Sequence, residues 1–295
     1  MPEHDIEFFD AHVHHWDPAN LQWYPHLAPD ADLSDIGLGD IAGMRRLFDQ
    51  QTYLAEARPW QVTGYVHVSA AGGPGTHLDE TDALAALAER TGSPQAIVGT
   101  VDVTGGVAGV AAELDRQLTA PGFRGIRILA GVEYDTPRAV ELLRLVAERG
   151  LVYDLVVHPE TMHLAARTLE ALPGLPVVVE HTGWPLHPHD AAERALWERG
   201  MAALAEREDT VLKFSGLPMT LHEISAAAFR PWFEYAVGAF GPARALIGSN
   251  FPVDGLHGTL PQLLDAYHEL AAPLGADAVA DLFSGSARRV YLGEK

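Results

Sequence analysis

The most constraining feature of this sequence is a regular alternation of short apolar runs with longer segments that carry apolar residues at helical spacing. Eight β-branched or apolar runs begin between positions 6 and 244, about 34 residues apart, and helical patterns fill the segments between them. This alternation predicts βα units and a parallel sheet. The number and spacing of the units favour a (β/α)8 barrel of the α/β class, which we expect to occupy residues 1–295 as a single domain.

The predicted elements cover most of the chain. The strands are predicted at 6–13, 62–69, 96–102, 124–129, 151–157, 176–181, 210–215 and 244–249. The helices are predicted at 78–90, 107–118, 136–148, 160–172, 190–206, 222–239 and 259–272. Residues 15–40 are predicted as a long first loop over the barrel mouth, and "DLFSGSARRVYL" as a closing helix. A doubly wound open sheet is the main alternative, but its G-x-G-x-x-G signature after the first strand is missing.

Composition excludes several classes of function. The chain has 40 Asp and Glu against 20 Lys and Arg, so its net charge of −20 disfavours binding to nucleic acid or to anionic membranes. It has no cysteine, which excludes disulfides, thiolate metal sites and a cysteine nucleophile. No apolar run approaches the roughly 18 residues of a membrane span, and a cytoplasmic location is the expectation.

Polar side chains recur at the carboxyl ends of the predicted strands, where barrels of this kind carry their reactive groups. They are His12 and His14 on the first strand, Arg127, His158, His181, Lys213 and the "GSNFPVD" segment on later ones. Because side chains alternate along a strand, His12 and His14 share one face, whereas His15 points the other way or begins the loop. Histidines in other loops, His26 and His222 among them, are expected to be exposed.

The strand-end motifs carry a family resemblance. "DAHVHHWDP", "GIRIL", "VVHP", "EHTGWP", "KFSGL" and "IGSNFPVD" resemble the successive motifs of the amidohydrolase superfamily, and more narrowly those of its lactonase branch. That branch includes sugar-lactone hydrolases and 2-pyrone-4,6-dicarboxylate lactonases. The resemblance covers nearly the whole chain and implies a distorted (β/α)8 TIM barrel that hydrolyses an ester-like bond in a small ring.

The resemblance also implies site residues. It aligns the superfamily's histidines with His12, His14, His158 and His181. We expect one divalent cation, zinc or manganese, on His12, His14 and His181, with His158 as a fourth ligand or a hydrogen-bond donor. Pyrone dicarboxylate lactonases are similar to superfamily members that work without a metal. The resemblance to them therefore leaves metal-independent operation open.

The eighth strand departs from the superfamily pattern. The position of the usual aspartate base holds Asn250, and an amide cannot accept a proton at working pH. Asn250 is expected to orient water or a metal through its carbonyl oxygen, while Asp254 or a histidine accepts the proton. The alternative is a barrel that binds its ligand without hydrolysing it.

The sequence therefore predicts a hydrolase that opens a small lactone with an activated water. Arg127 would bind a substrate carboxylate, Lys213 could act similarly, and Trp16 and Trp184 would wall the pocket. A metal-dependent decarboxylase of an aromatic or dienoic acid is the alternative on the same scaffold. The expected partner is a small-molecule substrate; a homo-oligomer is compatible with the sequence, which does not fix the oligomeric state.

Overall fold

The computed structural model describes residues 6–294 and confirms the predicted barrel. Neighbouring strands all pair in parallel, in the order of the chain. The strands are β1 (Glu7–Val13), β2 (Gln61–Val68), β3 (Ala96–Gly99), β4 (Phe123–Arg127), β5 (Val152–Leu155), β6 (Val177–Val179), β7 (Thr210–Phe214) and β8 (Ala245–Ile247). Each predicted strand overlaps an observed one. Several end earlier than predicted, because the chain turns into the loops at the barrel mouth.

Helices surround the barrel on its outer side, apart from the last helix, which lies across one end. They are α1 (Gln50–Glu56), α2 (Thr76–Thr91), α3 (Gly106–Gln117), α4 (Pro137–Glu148), α5 (Met162–Glu170), α6 (Ala191–Ala205), α7 (Pro218–Leu221), α8 (Ala226–Phe240), α9 (Leu260–Ala271), α10 (Ala276–Ala280) and α11 (Ser286–Leu292). Side-chain caps begin several of them; Thr136 caps α4, and Thr259 forms a capping box with Gln262 on α9. In residues 6–294, no helix is long and apolar enough to span a membrane.

Three helical regions differ from the prediction, and one of them is α10, for which no helix was predicted. Helix α1 lies in a stretch for which no helix was predicted; Asp49 begins it by accepting a hydrogen bond from Thr52 N. The predicted helix at 222–239 begins later than predicted, as α8, and the short α7 precedes it, because His222 has a left-handed backbone with φ of 55° that ends α7. Ser225 then caps α8 by accepting from Ala228 N.

The barrel closes between β8 and β1 by main-chain hydrogen bonds beyond the end of β8. Asn250 N donates to His12 O at 2.8 Å, and His14 N donates to Phe251 O at 2.9 Å. These bonds place the loop after β8 directly beside the two histidines of β1. Asn250, the residue that departs from the superfamily pattern, is therefore held beside His12 by a main-chain hydrogen bond.

Helix α11 closes the opposite end of the barrel. Its residues Ala287 and Tyr291 pack in the same buried cluster as inward-facing strand residues such as Phe9, Val98 and Val178. The predicted closing helix is thus present, although residues Asp281–Gly285 form a π-helical turn before α11. The interior of the barrel is consequently sealed below and accessible from the mouth.

The long first loop lies over the mouth, as the sequence predicts. Its two ends are joined where Trp16 and Phe48 exchange main-chain hydrogen bonds of 2.9 and 3.0 Å. Between them the chain makes three short 3-10 turns, Pro25–Leu27, Ser34–Ile36 and Ala42–Met44. We call residues 17–47 the cover segment.

Candidate active site

A cavity of about 500 Å³ lies between the carboxyl ends of the strands and the cover segment. Seven of the residues singled out from the sequence line it: His14, Trp16, Arg127, His158, His181, Trp184 and Asn250. His12 is fully buried and is not part of the lining. The volume of the cavity is that of an ordinary small-molecule pocket.

His12 and His14 lie side by side, with their Nε2 atoms 3.0 Å apart. His14 Nδ1 lies 2.8 Å from the carbonyl oxygen of Val68, so Nδ1 carries the hydrogen and Nε2 has a free lone pair. Burial lowers the pKa of both imidazoles well below the ordinary value, which keeps both rings neutral.

The other nitrogen of His12 has two neighbours that require opposite tautomers. Lys213 Nζ, which only donates, lies 3.4 Å from Nδ1, and Glu180 Oε1 lies 3.3 Å from it. If Lys213 donates, the hydrogen of His12 is on Nε2 and points at His14. If Glu180 accepts, the lone pairs of His12 and His14 face each other, and this arrangement suits a cation between them. The second tautomer also gives a partner to Glu180 Oε1, a buried oxygen without a hydrogen bond.

Glu180 and His181 both face the site at the end of β6. Side chains on a strand would alternate, but the backbone has φ of 49° at His181 and 54° at Thr182, which breaks the alternation. The His181 ring packs against Gly216, where an added Cβ would lie 2.6 Å from His181 Nδ1. Ligand atoms of His12, Glu180 and His181 lie within 4.8 Å of one another, so these residues fit a divalent cation.

Arg127 gives the cavity its positive charge. Its Nη2 donates to the carbonyl oxygen of Ser69 at 2.5 Å, and its Nη1 lies 3.5 Å from Glu180 Oε2. Burial opposes the ionisation of Glu180, yet the charges nearby, that of Arg127 above all, hold the pKa of this carboxyl well below its usual range. Among the described residues that line the cavity, Arg127 is the one Arg or Lys, and none is Asp or Glu. The cavity is therefore suited to an anionic ligand.

The structure places Lys213 away from the cavity, which corrects its predicted contact with substrate. Its ammonium group is fully buried and lies 2.5 Å from Asp154 Oδ2 and 3.6 Å from Glu180 Oε1. Tyr291 of α11 donates to Asp154 at 2.8 Å, and burial raises the pKa of Asp154 to about 6. Because a buried charge needs a partner, Lys213 serves the carboxylates and His12 rather than a ligand.

Asp254 is likewise fully buried and does not line the cavity, so the base predicted from the sequence has no access to a substrate. Asn250 Nδ2 donates to Asp254 Oδ1 at 2.8 Å, and Gly216 N donates to the other oxygen at 3.2 Å. Burial raises the pKa of Asp254 well above its usual value. One N–H of the Asn250 amide is thus used, and its second N–H and its carbonyl oxygen remain for the cavity, which Asn250 lines.

His158, Trp184 and Trp16 form part of the wall. His158 Nδ1 lies 3.0 Å from the carbonyl oxygen of Trp184, which puts the hydrogen on Nδ1 and leaves the Nε2 lone pair free. The two indole N–H groups donate to the cover segment, Trp184 to Ile36 O at 3.2 Å and Trp16 to Met44 O at 3.0 Å. The tryptophans therefore present ring surface to a ligand.

Three residues of the site were not predicted from the sequence, namely Glu180, Asp154 and His26. Both acids interrupt otherwise apolar strand sequences, and a charge at such a position must be paired inside the barrel. His26 was expected to be exposed; it is half-buried and lines the cavity from the cover segment. Nothing in its sequence neighbourhood indicates this position, which depends on how the loop folds back.

The barrel with its strand-end histidines defines a class of enzymes that act on small molecules at the barrel mouth. The chain belongs to the amidohydrolase family, whose model matches residues 9–292. It is 28% identical over 300 residues to the uncharacterized protein y4mH of Sinorhizobium fredii (strain NBRC 101917 / NGR234), covering 97% of this chain and 99% of that protein.

Solved structures share the fold over nearly the full chain. A zinc-bound amidohydrolase from Burkholderia multivorans has a TM-score of 0.80 at 22% identity, covering 97% of this chain and 99% of the other. A putative 2-pyrone-4,6-dicarboxylic acid hydrolase from Pseudomonas putida has 0.69 at 18%, covering 98% of each. The manganese-bound 5-carboxyvanillate decarboxylase of Novosphingobium aromaticivorans has 0.66 at 14%, covering 99% and 97%. Identities this low establish the fold alone.

Proposed function

We propose that this protein hydrolyses a small lactone that carries a carboxylate. The observation that carries the proposal is Arg127, the one cationic side chain among the described residues that line the cavity, beside neutral imidazoles that can act on an acyl group. A planar guanidinium binds a carboxylate through two parallel hydrogen bonds and thereby orients the rest of the ring. The similarity of fold to structures described as pyrone dicarboxylic acid hydrolases supports hydrolysis of a carboxylated lactone.

In this mechanism, His158 exchanges the proton. Its free Nε2 lone pair takes a proton from the attacking water as the water oxygen bonds to the lactone carbonyl carbon. Collapse of the tetrahedral intermediate then breaks the ring C–O bond, and His158 returns the proton to the leaving alkoxide. The product is a hydroxy acid. Asn250 orients the water through its carbonyl oxygen, and His14 and His181 line the same cavity.

A divalent cation, zinc or manganese, would be held by His12, Glu180 and His181, with His14 beside them; when bound, it would polarise the carbonyl and acidify the water. The residues of the chain still determine which ligand binds and where the proton goes. Both roles are therefore testable in variants of Arg127 and His158.

The test is hydrolysis of a panel of lactones with and without a carboxylate, by protein purified with and without chelator. We expect turnover of a carboxylated lactone and a loss of kcat in His158→Gln. His163→Gln, which changes an exposed histidine of α5 outside the cavity lining, is the matched control. Absence of turnover with every lactone in metal-loaded protein would contradict the proposal.

Decarboxylation of a small carboxylic acid is a second candidate, and Asn250 is the observation that favours it. Loss of carbon dioxide does not require a base to activate water, so an amide in the place of the usual aspartate is no obstacle. The fold is also that of 5-carboxyvanillate decarboxylase. Product analysis distinguishes the two candidates, because only one of them releases carbon dioxide and only the other opens a ring.

A further inference from the structure

The cavity has a polar side and an apolar side. We call the strand-end residues His14, Arg127, His158, His181 and Asn250 the polar face. The cover segment contributes the opposite wall, which consists of Pro25, Leu33, Ile36, Leu38 and Met44 and which we call the apolar face. His26 also lines the cavity from this segment, but burial lowers its pKa to about 4, so it adds no charge.

The apolar face is fixed in position. Trp184 Nε1 donates to Ile36 O at 3.2 Å, and His222 Nε2 lies 2.7 Å from Gly37 O. Leu38 and Met44 are buried with 4% and 2% of their surface exposed. A wall held by hydrogen bonds at Ile36, Gly37 and Met44 is part of the formed pocket, and its side chains determine what can be bound against it.

The side walls add more apolar surface and few hydrogen-bond donors. Trp16 and Trp184 use their N–H groups on the cover segment. Val156, Met219 and Val253 also line the cavity, and so do the hydroxyl-bearing residues Ser69 and Thr100. A ligand bound here meets hydrogen-bonding groups mainly on the polar face.

This division has a direct consequence for the ligand. A hydroxyl group placed against the apolar face would lose its hydrogen bonds to water without replacement, which disfavours binding. An alkyl or aryl group in the same place gains from the removal of apolar surface from water. Resting on the proposed function, we infer that the substrate is a carboxylated lactone whose distal half is an alkyl or aryl group, and not a polyhydroxylated sugar lactone.

The test compares two carboxylates by isothermal titration calorimetry, 3-phenylpropanoate and gluconate, with metal-loaded protein. We expect 3-phenylpropanoate to bind at least tenfold more tightly. Equal affinities, tighter binding of gluconate, or no binding of either compound would overturn the inference. This comparison uses the unaltered protein, so it does not depend on the folding of any variant.

Two variants test whether the apolar face causes the preference for 3-phenylpropanoate over gluconate. Ile36→Asn adds an amide to the apolar face and should reduce the affinity for 3-phenylpropanoate at least threefold, without weakening that for gluconate. Leu47→Asn makes the same kind of change at a residue of the cover segment that is 51% exposed and outside the lining, and should leave both affinities unchanged. An unchanged preference in Ile36→Asn would overturn the assignment of the apolar face.

Turnover separates this inference from the proposed function. Preferential binding of 3-phenylpropanoate without hydrolysis of any lactone would support the pocket chemistry and contradict the hydrolase. Efficient hydrolysis of a sugar lactone, with a kcat/KM equal to or above that of a phenyl-substituted carboxylated lactone, would support the hydrolase and overturn the inference.

Discussion

Asn250 donates a hydrogen bond from its side-chain amide to Asp254, with the two atoms 2.8 Å apart in a fully buried position. This pair replaces the single carboxylate that the strand-end motif usually carries. The carboxylate is still present, four residues later, but it lies behind the amide and does not line the cavity. The site therefore presents a neutral amide to its ligand where a base was expected.

The pair predicts the effect of exchanging its members. Asn250→Asp removes the donor and places two carboxyl groups together, which should lower the free energy of unfolding by about 1–3 kcal/mol. The reciprocal double variant, Asn250→Asp with Asp254→Asn, restores one donor and one acceptor and should recover at least half of that loss. Denaturant unfolding measures both. Equal stability of the single variant and the unaltered protein would show that the hydrogen bond has no structural role.

Lys213 should behave as a structural cation. Lys213→Met leaves the buried carboxylates of Asp154 and Glu180 without their ammonium partner, and removing one member of a buried pair costs about 3–5 kcal/mol. Adding Asp154→Asn, which keeps an acceptor for Tyr291, should recover part of this loss. Arg167→Met breaks the exposed pair with Asp135 and should change the free energy of unfolding little. A Lys213→Met protein as stable as the parent would contradict this assignment.

Arg127 should discriminate between charged and neutral substrates. Arg127→Lys keeps the charge but loses the planar fork, so we expect KM for a carboxylated lactone to rise by about tenfold or more, while KM for a neutral lactone changes little. Steady-state kinetics on the two substrates provides the comparison, with circular dichroism as the check on folding. A parallel rise in both KM values would show that Arg127 supports the cavity without contacting the carboxylate.

We expect the buried carboxyl group of Glu80 to make the free energy of unfolding depend on pH. Its carboxylate accepts from Ser69 Oγ at 2.6 Å and from Ala71 N at 2.9 Å, in the loop that lines the cavity, and burial raises its pKa from 4.5 to about 7. The folded state thus holds the proton more tightly, so this contribution to stability is fully present below pH 4.5 and is lost as the pH rises to about 7. The loss is on the order of 3 kcal/mol.

The measurement compares the parent protein with Glu80→Gln by urea unfolding at pH 5 and pH 8. The amide has no proton to lose, so the stability of Glu80→Gln relative to the parent should be greater at pH 8 than at pH 5. Glu89→Gln changes an exposed glutamate on the same helix and serves as control. A difference that does not vary with pH would contradict the raised pKa.

Metal binding is a separate prediction. Elemental analysis of protein purified without added metal should find about one zinc or manganese per chain, since the donor set is a single cluster. Glu180→Gln keeps the shape of the side chain but replaces a charged member of the ligand cluster by a neutral amide and weakens its hold on His12, and should lower the metal affinity by about 10-fold or more. Protein that contains no metal and takes up none on addition of zinc or manganese would contradict the assignment.

The order of elements could be predicted from the sequence because hydrophobic periodicity reports directly on strands and helices. The strand-end rule similarly brought His14, Arg127, His158 and His181 to one cavity. Glu180 was missed because alternation places it opposite His181, and the left-handed backbone that overrides alternation is not visible in the sequence "EHTG".

The roles of Lys213 and Asp154 could not be predicted from the sequence for a different reason. They lie on β7 and β5, which do not pair with each other, so their contact depends on both side chains turning into the barrel. Tyr291, their third neighbour, is 137 residues from Asp154 in the chain. Contacts between such distant segments follow from the closed shape of the sheet and not from local pattern.

Helix α11 also sets the order in which the protein can become functional during synthesis. All eight strands precede it in the chain, so a growing polypeptide has made every histidine of the site before Tyr291 exists. Until that residue is added, Asp154 lacks the hydrogen bonds that Tyr291 donates to it. The charged centre of the barrel is therefore completed by α11, and a chain interrupted before α11 would carry every reactive group of the site without this support for Asp154.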